Sequence, residues 1–171
     1  MQAQPRKCHG FTIVELMVSL AVAAILVGMA VPAFTGFIEQ RTMSARANDF
    51  LLAVTYARSE AARRGSGVSV HALGSDDDNE WGEGFCVVAG NPGNCDAPLR
   101  SFDAVSDDLT FDGRDAFDSA FTLTFDQRGM LTFGSAGSVA LCSTDADTDP
   151  GRVVNVSRIG RAEVDELECH P

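Results

Sequence analysis

Cys86, Cys95, Cys142 and Cys169 are an even set that could pair as disulfides or bind a metal as thiolates. Cys86 and Cys95 bracket Asn91-Pro92-Gly93-Asn94, a strong turn sequence, so a bridge closing that short loop is favoured. A Cys142–Cys169 bridge would then tie the carboxyl tail to a strand. Four cysteines allow three pairings, and free or metal-bound thiols are the alternative. No C-x-x-C pair occurs and His71 and His170 lack ligand-type spacing, which weighs against zinc. Alternating carboxylates at Asp145, Asp147 and Asp149 could converge on calcium, but Val156 stands where an EF-hand would place its closing glutamate. Asp76-Asp77-Asp78-Asn79-Glu80 reads as a solvated acidic loop. Ser59 and Glu60 fall on a helix, the histidines have no marked Ser or Cys partner, and no phosphate-cradling glycine loop is present. The expectation is therefore a protein without catalytic residues or cofactor.

The carboxylate with the most distinctive setting is Glu15. It stands at the mouth of an apolar run from Leu16 to Phe34, close to the roughly 20 residues a helix needs to cross a bilayer. A carboxylate carried unpaired to the bilayer centre costs on the order of 3 kcal/mol, so Glu15 either stays at the headgroup level or takes a cationic partner. Arg6 and Lys7 precede the run and place that side in the cytoplasm, with the remainder across the membrane. The four later cysteines fit an oxidising compartment on that far side.

The elements that must carry these residues follow from periodicity. Pro32 lies inside the long helical stretch, where it removes a hydrogen bond and bends the helix. Beyond it Ala47, Phe50, Leu51, Val54, Ala57 and Ala61 form one apolar stripe at helical spacing, and Gly65 is a candidate stop. A helix from Phe11 to Arg64 would be about 80 Å long. After it come short alternating runs that read as strands: 68–72, 85–88, 121–125, 130–133, 138–142 and 153–157. Asp126-Gln127-Arg128-Gly129 reads as a hairpin turn between two of them. This is an α+β arrangement, a long amino-terminal helix packed on an antiparallel β-sheet head. The divisions are 1–10, a short leader; 11–37, a transmembrane helix; 38–65, its amphipathic second half; and 66–171, a β-rich head. With 13 basic and 24 acidic side chains the net charge is −11, so the head will not adhere passively to nucleic acid or anionic lipid.

The basic leader ending in Gly10, followed by Phe11-Thr12-Ile13-Val14-Glu15-Leu16, resembles the processing and methylation signature of type IV pilins and type II secretion pseudopilins. Tyr56-Ala57-Arg58-Ser59-Glu60-Ala61, Trp81-Gly82-Glu83-Gly84-Phe85, Phe125-Asp126-Gln127-Arg128-Gly129 and Arg152-Val153-Val154-Asn155-Val156-Ser157 with Gly160-Arg161 resemble the GspH/FimT branch. That branch comprises minor pilins and the minor pseudopilin H, low-abundance subunits near a filament tip. The resemblance implies cleavage between Gly10 and Phe11 by a prepilin peptidase and N-methylation of Phe11. It also implies pairing of Glu15 with the new amine of a neighbouring subunit, and a role for Pro32 in the helix that assembles. Implied partners are other pilin subunits, an inner-membrane assembly platform and the peptidase. The implied location is the bacterial inner membrane, single-pass, with the head in the periplasm, and then a pilus or pseudopilus. Some FimT-type pilins take up DNA through a Gly-Arg-x-Arg motif. Here Glu163 stands in the second arginine's place, leaving Arg152, Arg158 and Arg161 as a small candidate patch, so DNA reception is the alternative function.

Overall fold

The computed structural model describes residues 11–75, 79–132, 135–144 and 150–169, the side chains of 31–35 excepted. The chain falls into two compact units, one ending at Ile38 and one running from Glu39 to the carboxyl terminus. A single helix, α1 (Ile13–Arg64), contributes to both. It stops directly before Gly65, whose φ of +64° is the left-handed conformation that ends helices and that glycine adopts without steric cost.

Eight strands make two antiparallel four-stranded sheets rather than one. They are β1 (Val68–Ala72), β2 (Phe85–Ala89), β3 (Arg100–Phe102), β4 (Leu109–Asp115), β5 (Thr122–Phe125), β6 (Gly137–Ser143), β7 (Gly151–Val156) and β8 (Ala162–Leu167). The first sheet has the order β3-β2-β1-β5 and the second β4-β6-β7-β8. The chain therefore changes sheet between β3 and β4, returns for β5, and then stays in the second sheet. The strand expected over 130–133 is only a bridge between Phe125 and Leu131, and Phe133 lies outside the described residues. Asp126 explains the shortfall: its carboxylate accepts from the amides of Arg128 and Met130, both at 2.9 Å, which holds the chain in a turn through Met130.

The core forms where the amphipathic stripe of α1 meets both sheets. Ala47, Phe50, Val54, Ala57 and Ala61 are fully buried, joined by Met43 and Ala53, while Leu51 sits half-buried at the border. Phe50 is the hub. Its ring meets Trp81, Phe85 of β2 and Phe111 of β4 edge-on, with centroids 5.0, 5.3 and 5.4 Å away. Edge-to-face packing of this kind adds to simple area burial. One helical side chain thus fastens a strand from each sheet.

Both disulfides, Cys86–Cys95 and Cys142–Cys169, are present. The first closes the turn after β2, and the half-buried His71 stands beside it with Nδ1 2.6 Å from Thr122 Oγ1. The second fixes the tail that follows β8 onto β6.

Replacing Phe50 by Ala should cost about 3–5 kcal/mol, since it leaves a cavity that neither sheet can close. Chemical denaturation of the full chain in detergent micelles, followed by tryptophan fluorescence from Trp81, measures this. A loss under about 1 kcal/mol would show that the hub is dispensable.

Candidate functional site

Glu15 stands in the first turn of α1, and the turn is built by its neighbours. The backbone amide of Glu15 donates to Thr12 Oγ1 at 3.2 Å, and Leu16 N makes the first helical bond to Thr12 O at 3.1 Å. Thr12 is thus the N-cap and Glu15 the third helical residue, where a carboxylate favours the positive end of the helix dipole. The Thr-x-x-Glu spacing is the sequence signal that marks this cap, a signal easily passed over beside the longer apolar run. Both Phe11 and Glu15 are exposed. From Ile13 to Ala30 the helix has a mean hydropathy of 2.4 and none of its residues is buried among the described residues. It is long and apolar enough to cross a membrane. Gly10 lies outside the described residues. So does the side chain of Pro32, through whose position α1 runs.

Three of the sequence motifs converge at the carboxyl end of α1. Turn 126–129, closed by Gly129 N to Asp126 O at 2.8 Å, lies against the stem of Arg58. Turn 157–160, closed by Gly160 N to Ser157 O at 2.8 Å, lies against the same stem. Leu131 N donates to Arg158 O at 3.0 Å and joins the two turns across the sheets. At Gly160 the backbone has φ +73° and sits against the Gly129 carbonyl, so any side chain there would displace one turn from the other. These motif residues, scattered along the chain, form one structural joint. Nearby, Glu60 is buried and receives Arg63 and Arg64.

The arginines of the candidate basic patch are largely committed elsewhere. Arg152 is mostly buried; its Nε donates to Ser44 Oγ at 3.2 Å and its Nη1 to Gly151 O at 2.9 Å. Glu166 is a further partner at 3.7 Å. Arg161 pairs with Glu163 at 3.2 Å, and Arg158 is exposed. Asp145, Asp147 and Asp149 lie outside the described residues. Among the described residues no three His, Cys, Asp or Glu side chains gather into a metal-binding group.

The family described as Type II transport protein GspH matches residues 46–160, about two thirds of the chain. The chain belongs to the GspH family. The Prokaryotic N-terminal methylation motif matches residues 5–31, which contain Gly10, Phe11 and the capped Glu15. Two crystal structures of the type IV minor pilin FimU of Pseudomonas aeruginosa share 30% identity with it. They have TM-scores of 0.60 and 0.63 and cover 71% and 75% of this chain and 91% and 92% of their own. The minor pseudopilin EpsH of the Vibrio cholerae type 2 secretion system shares the fold at 13% identity and a TM-score of 0.50. It covers 72% of this chain and 95% of its own. No curated protein matches. The family and these neighbours are structural pilin subunits. The apolar helix and the methylation motif give this GspH-family chain a membrane anchor that carries a separate head.

One buried group in the head escapes a reading of the sequence. Glu80, which composition places in a solvated loop, is fully buried, and Asn79 is half-buried. Asp76, Asp77 and Asp78 lie outside the described residues. Together Asn79, Glu80 and Trp81 close the free edge of β4. Phe111 N donates to Asn79 Oδ1 at 2.6 Å, Gly113 N to Glu80 Oε1 at 3.2 Å, and Trp81 N to Phe111 O at 3.1 Å. Burial, reinforced by the Asp112 carboxylate, raises the Glu80 pKa to about 7, against smaller opposing pulls from its own amide and that of Gly113. Glu60 behaves oppositely. Hydrogen bonds from Arg63 and Arg64 hold it at about 2.

The signs give a pH test. Native Glu80 keeps its proton where the unfolded chain has lost it, so its contribution is full below about 4.5 and disappears as pH rises through about 7. Glu60 contributes above about 4.5 and stops doing so only as pH falls through about 2. Between pH 5 and 8 the head should therefore lose stability as pH rises, by about 2–3 kcal/mol from Glu80. Glu80→Gln, which mimics the protonated carboxyl, should flatten that slope and raise the melting temperature at pH 8. A variant that melts lower than wild type at pH 8 would contradict the assignment.

Proposed function

We propose that this chain is a minor subunit of a type IV pilus, held in the inner membrane with its head in the periplasm before assembly. Prepilin peptidase cuts after Gly10 and N-methylates Phe11. The carboxylate of Glu15 then pairs with the amine of Phe11 in a neighbouring subunit as the helices leave the lipid. The observation that carries this reading is the bare apolar segment Ile13–Ala30, opened by a Thr12 cap that sets Glu15 one turn from Phe11. An unpaired carboxylate inside a bundle of such helices is expensive, and a primary or methylated amine is the cation the cut itself creates. The pilus is favoured over the type II secretion pseudopilus by the 30% identity to FimU against 13% to EpsH. The inner-membrane assembly platform is the expected site of incorporation. Arg58, Arg63 and Arg64 at the end of α1 and six more cations beyond it are outnumbered by acids over the same span, and Arg152 and Arg161 are engaged within the head, so DNA reception gains no support.

Mass spectrometry of the protein taken from filaments should show a chain beginning at N-methylated Phe11. Glu15→Ala should leave membrane insertion intact and reduce incorporation into filaments at least tenfold. Incorporation at the wild-type level would show that the charge pair does not operate.

A further inference from the structure

The two sheets have four outer edges, and the fold treats one of them differently from the rest. The β4 edge is closed by Asn79–Trp81. The β5 edge is covered by the returning chain, through the Leu131 bridge and Thr132 N to Thr124 O at 2.9 Å. The β3 edge is only three residues long, itself a protection against pairing. The β8 edge is six residues long, and among the described residues its only strand neighbour is β7.

The register shows what that edge presents. Ser157 N donates to Arg161 O at 2.8 Å, which makes 157 and 161 a hydrogen-bonded pair. Hydrogen-bonded and non-bonded pairs alternate along an antiparallel ladder, so Glu163 and Asp165 also bond to β7. Ala162, Val164 and Glu166 then turn their N–H and C=O groups outward, with no hydrogen-bond partner among the described residues. Around them Glu163, Asp165, Glu166 and Glu168 are exposed. A cavity of about 400 Å³ lies over the end of the second sheet, lined by Asp115 of β4, Gly137 of β6, Asn155 of β7, Arg161 and Glu163, with Ile159 57% exposed at its rim.

We propose that β8 is a docking edge that an extended, basic segment of a neighbouring filament subunit joins as an added strand. Strand addition satisfies the outward backbone groups, and alternating side chains supply specificity. The carboxylates choose the occupant. A second copy of this chain paired antiparallel about Val164 would set Glu163 of each copy against Asp165 of the other, and like charges directly opposite are destabilising. A neutral strand gains nothing from them, whereas Arg or Lys at alternate positions meets Glu163 and Asp165 on one face of β8, in place of their present partners Arg161 and Asn155.

The proposal rests on the filament-subunit reading, and its test is separable from it. The probe is a ten-residue peptide of alternating Arg and Val, with a Glu–Val peptide as control, titrated into the full chain in detergent micelles. The Arg–Val peptide should slow amide exchange at Ala162, Val164 and Glu166, and should weaken with added salt. Glu166→Pro removes one outward N–H and leaves the β7 ladder whole, since a proline is tolerated on the open side of an edge strand. It should lower affinity at least tenfold. The double variant Glu163→Gln with Asp165→Asn, which leaves the backbone intact, should do the same and guards against misfolding of the proline variant. No protection of the three amides, equal protection by the Glu–Val peptide, or undiminished binding by both variants would overturn the proposal. Any of these results with normal entry of the chain into filaments would leave the pilin reading standing and remove only the docking edge.

Discussion

The head depends on the contact between Phe50 and the three aromatic rings around it. A helix whose apolar stripe is made mainly of alanines has little area to offer two sheets, because small side chains bring surfaces close without filling much volume. Phe50 supplies the reach. It touches Phe85 in one sheet and Phe111 in the other, and Trp81 in the connection between β1 and β2. Phe102 then stacks on Phe85 at 4.8 Å and extends the cluster to the outermost strand of the first sheet. The alanines at 47, 53, 57 and 61 let both sheets approach the helix closely enough for this one ring to join them. The rest of the α1 surface within the head is mostly polar or charged, as a face turned to solvent requires.

That arrangement gives α1 two environments. From Glu39 onward it is part of a compact unit, closed by two disulfides and by ties such as Arg152 to Ser44 and Ser143 to Glu39. From Ile13 to Ala30 none of its residues is buried among the described residues. A segment of that hydropathy must find lipid or other apolar helices, since the cost of leaving it in water far exceeds the stability of a domain of this size. The Prokaryotic N-terminal methylation motif matched at residues 5–31 covers this same segment. The head has a core of its own, while the amino-terminal helix requires something apolar around it.

Much of this architecture is legible in the order of the residues. The stripe on α1 shows because helical periodicity survives as long as one face is buried, and five of the six residues assigned to it are fully buried. The turn and bridge at Cys86 and Cys95 show because Asn-Pro-Gly-Asn has few other uses. Three strands escape such a reading. In β4, Leu109 and Phe111 alternate correctly, but Asp112-Gly113-Arg114-Asp115 carries the composition of a loop. β3 is too short for a pattern, and half of β8 is carboxylates. Glu80 shows the limit of composition most clearly. Following three aspartates it looks solvated, yet it is needed to close an edge formed by a strand some thirty residues later. The candidate site is half legible. Position and type mark Glu15 and Phe11, whereas the commitment of Arg152 to Ser44 depends on a fold that brings β7 against the helix.

The central claim is that one helix is locked into the head over its second half and left to its surroundings over its first. Native-state hydrogen exchange on the full chain in detergent micelles tests it most directly. The amides of Ala47 to Ala61 should exchange only through global unfolding of the head, together with those of β1 and β6, whatever the detergent. Those of Ile13 to Ala30 should change protection when the detergent is changed. If Ala47 to Ala61 exchange well before the strands do, the helix is not the element on which the head is built.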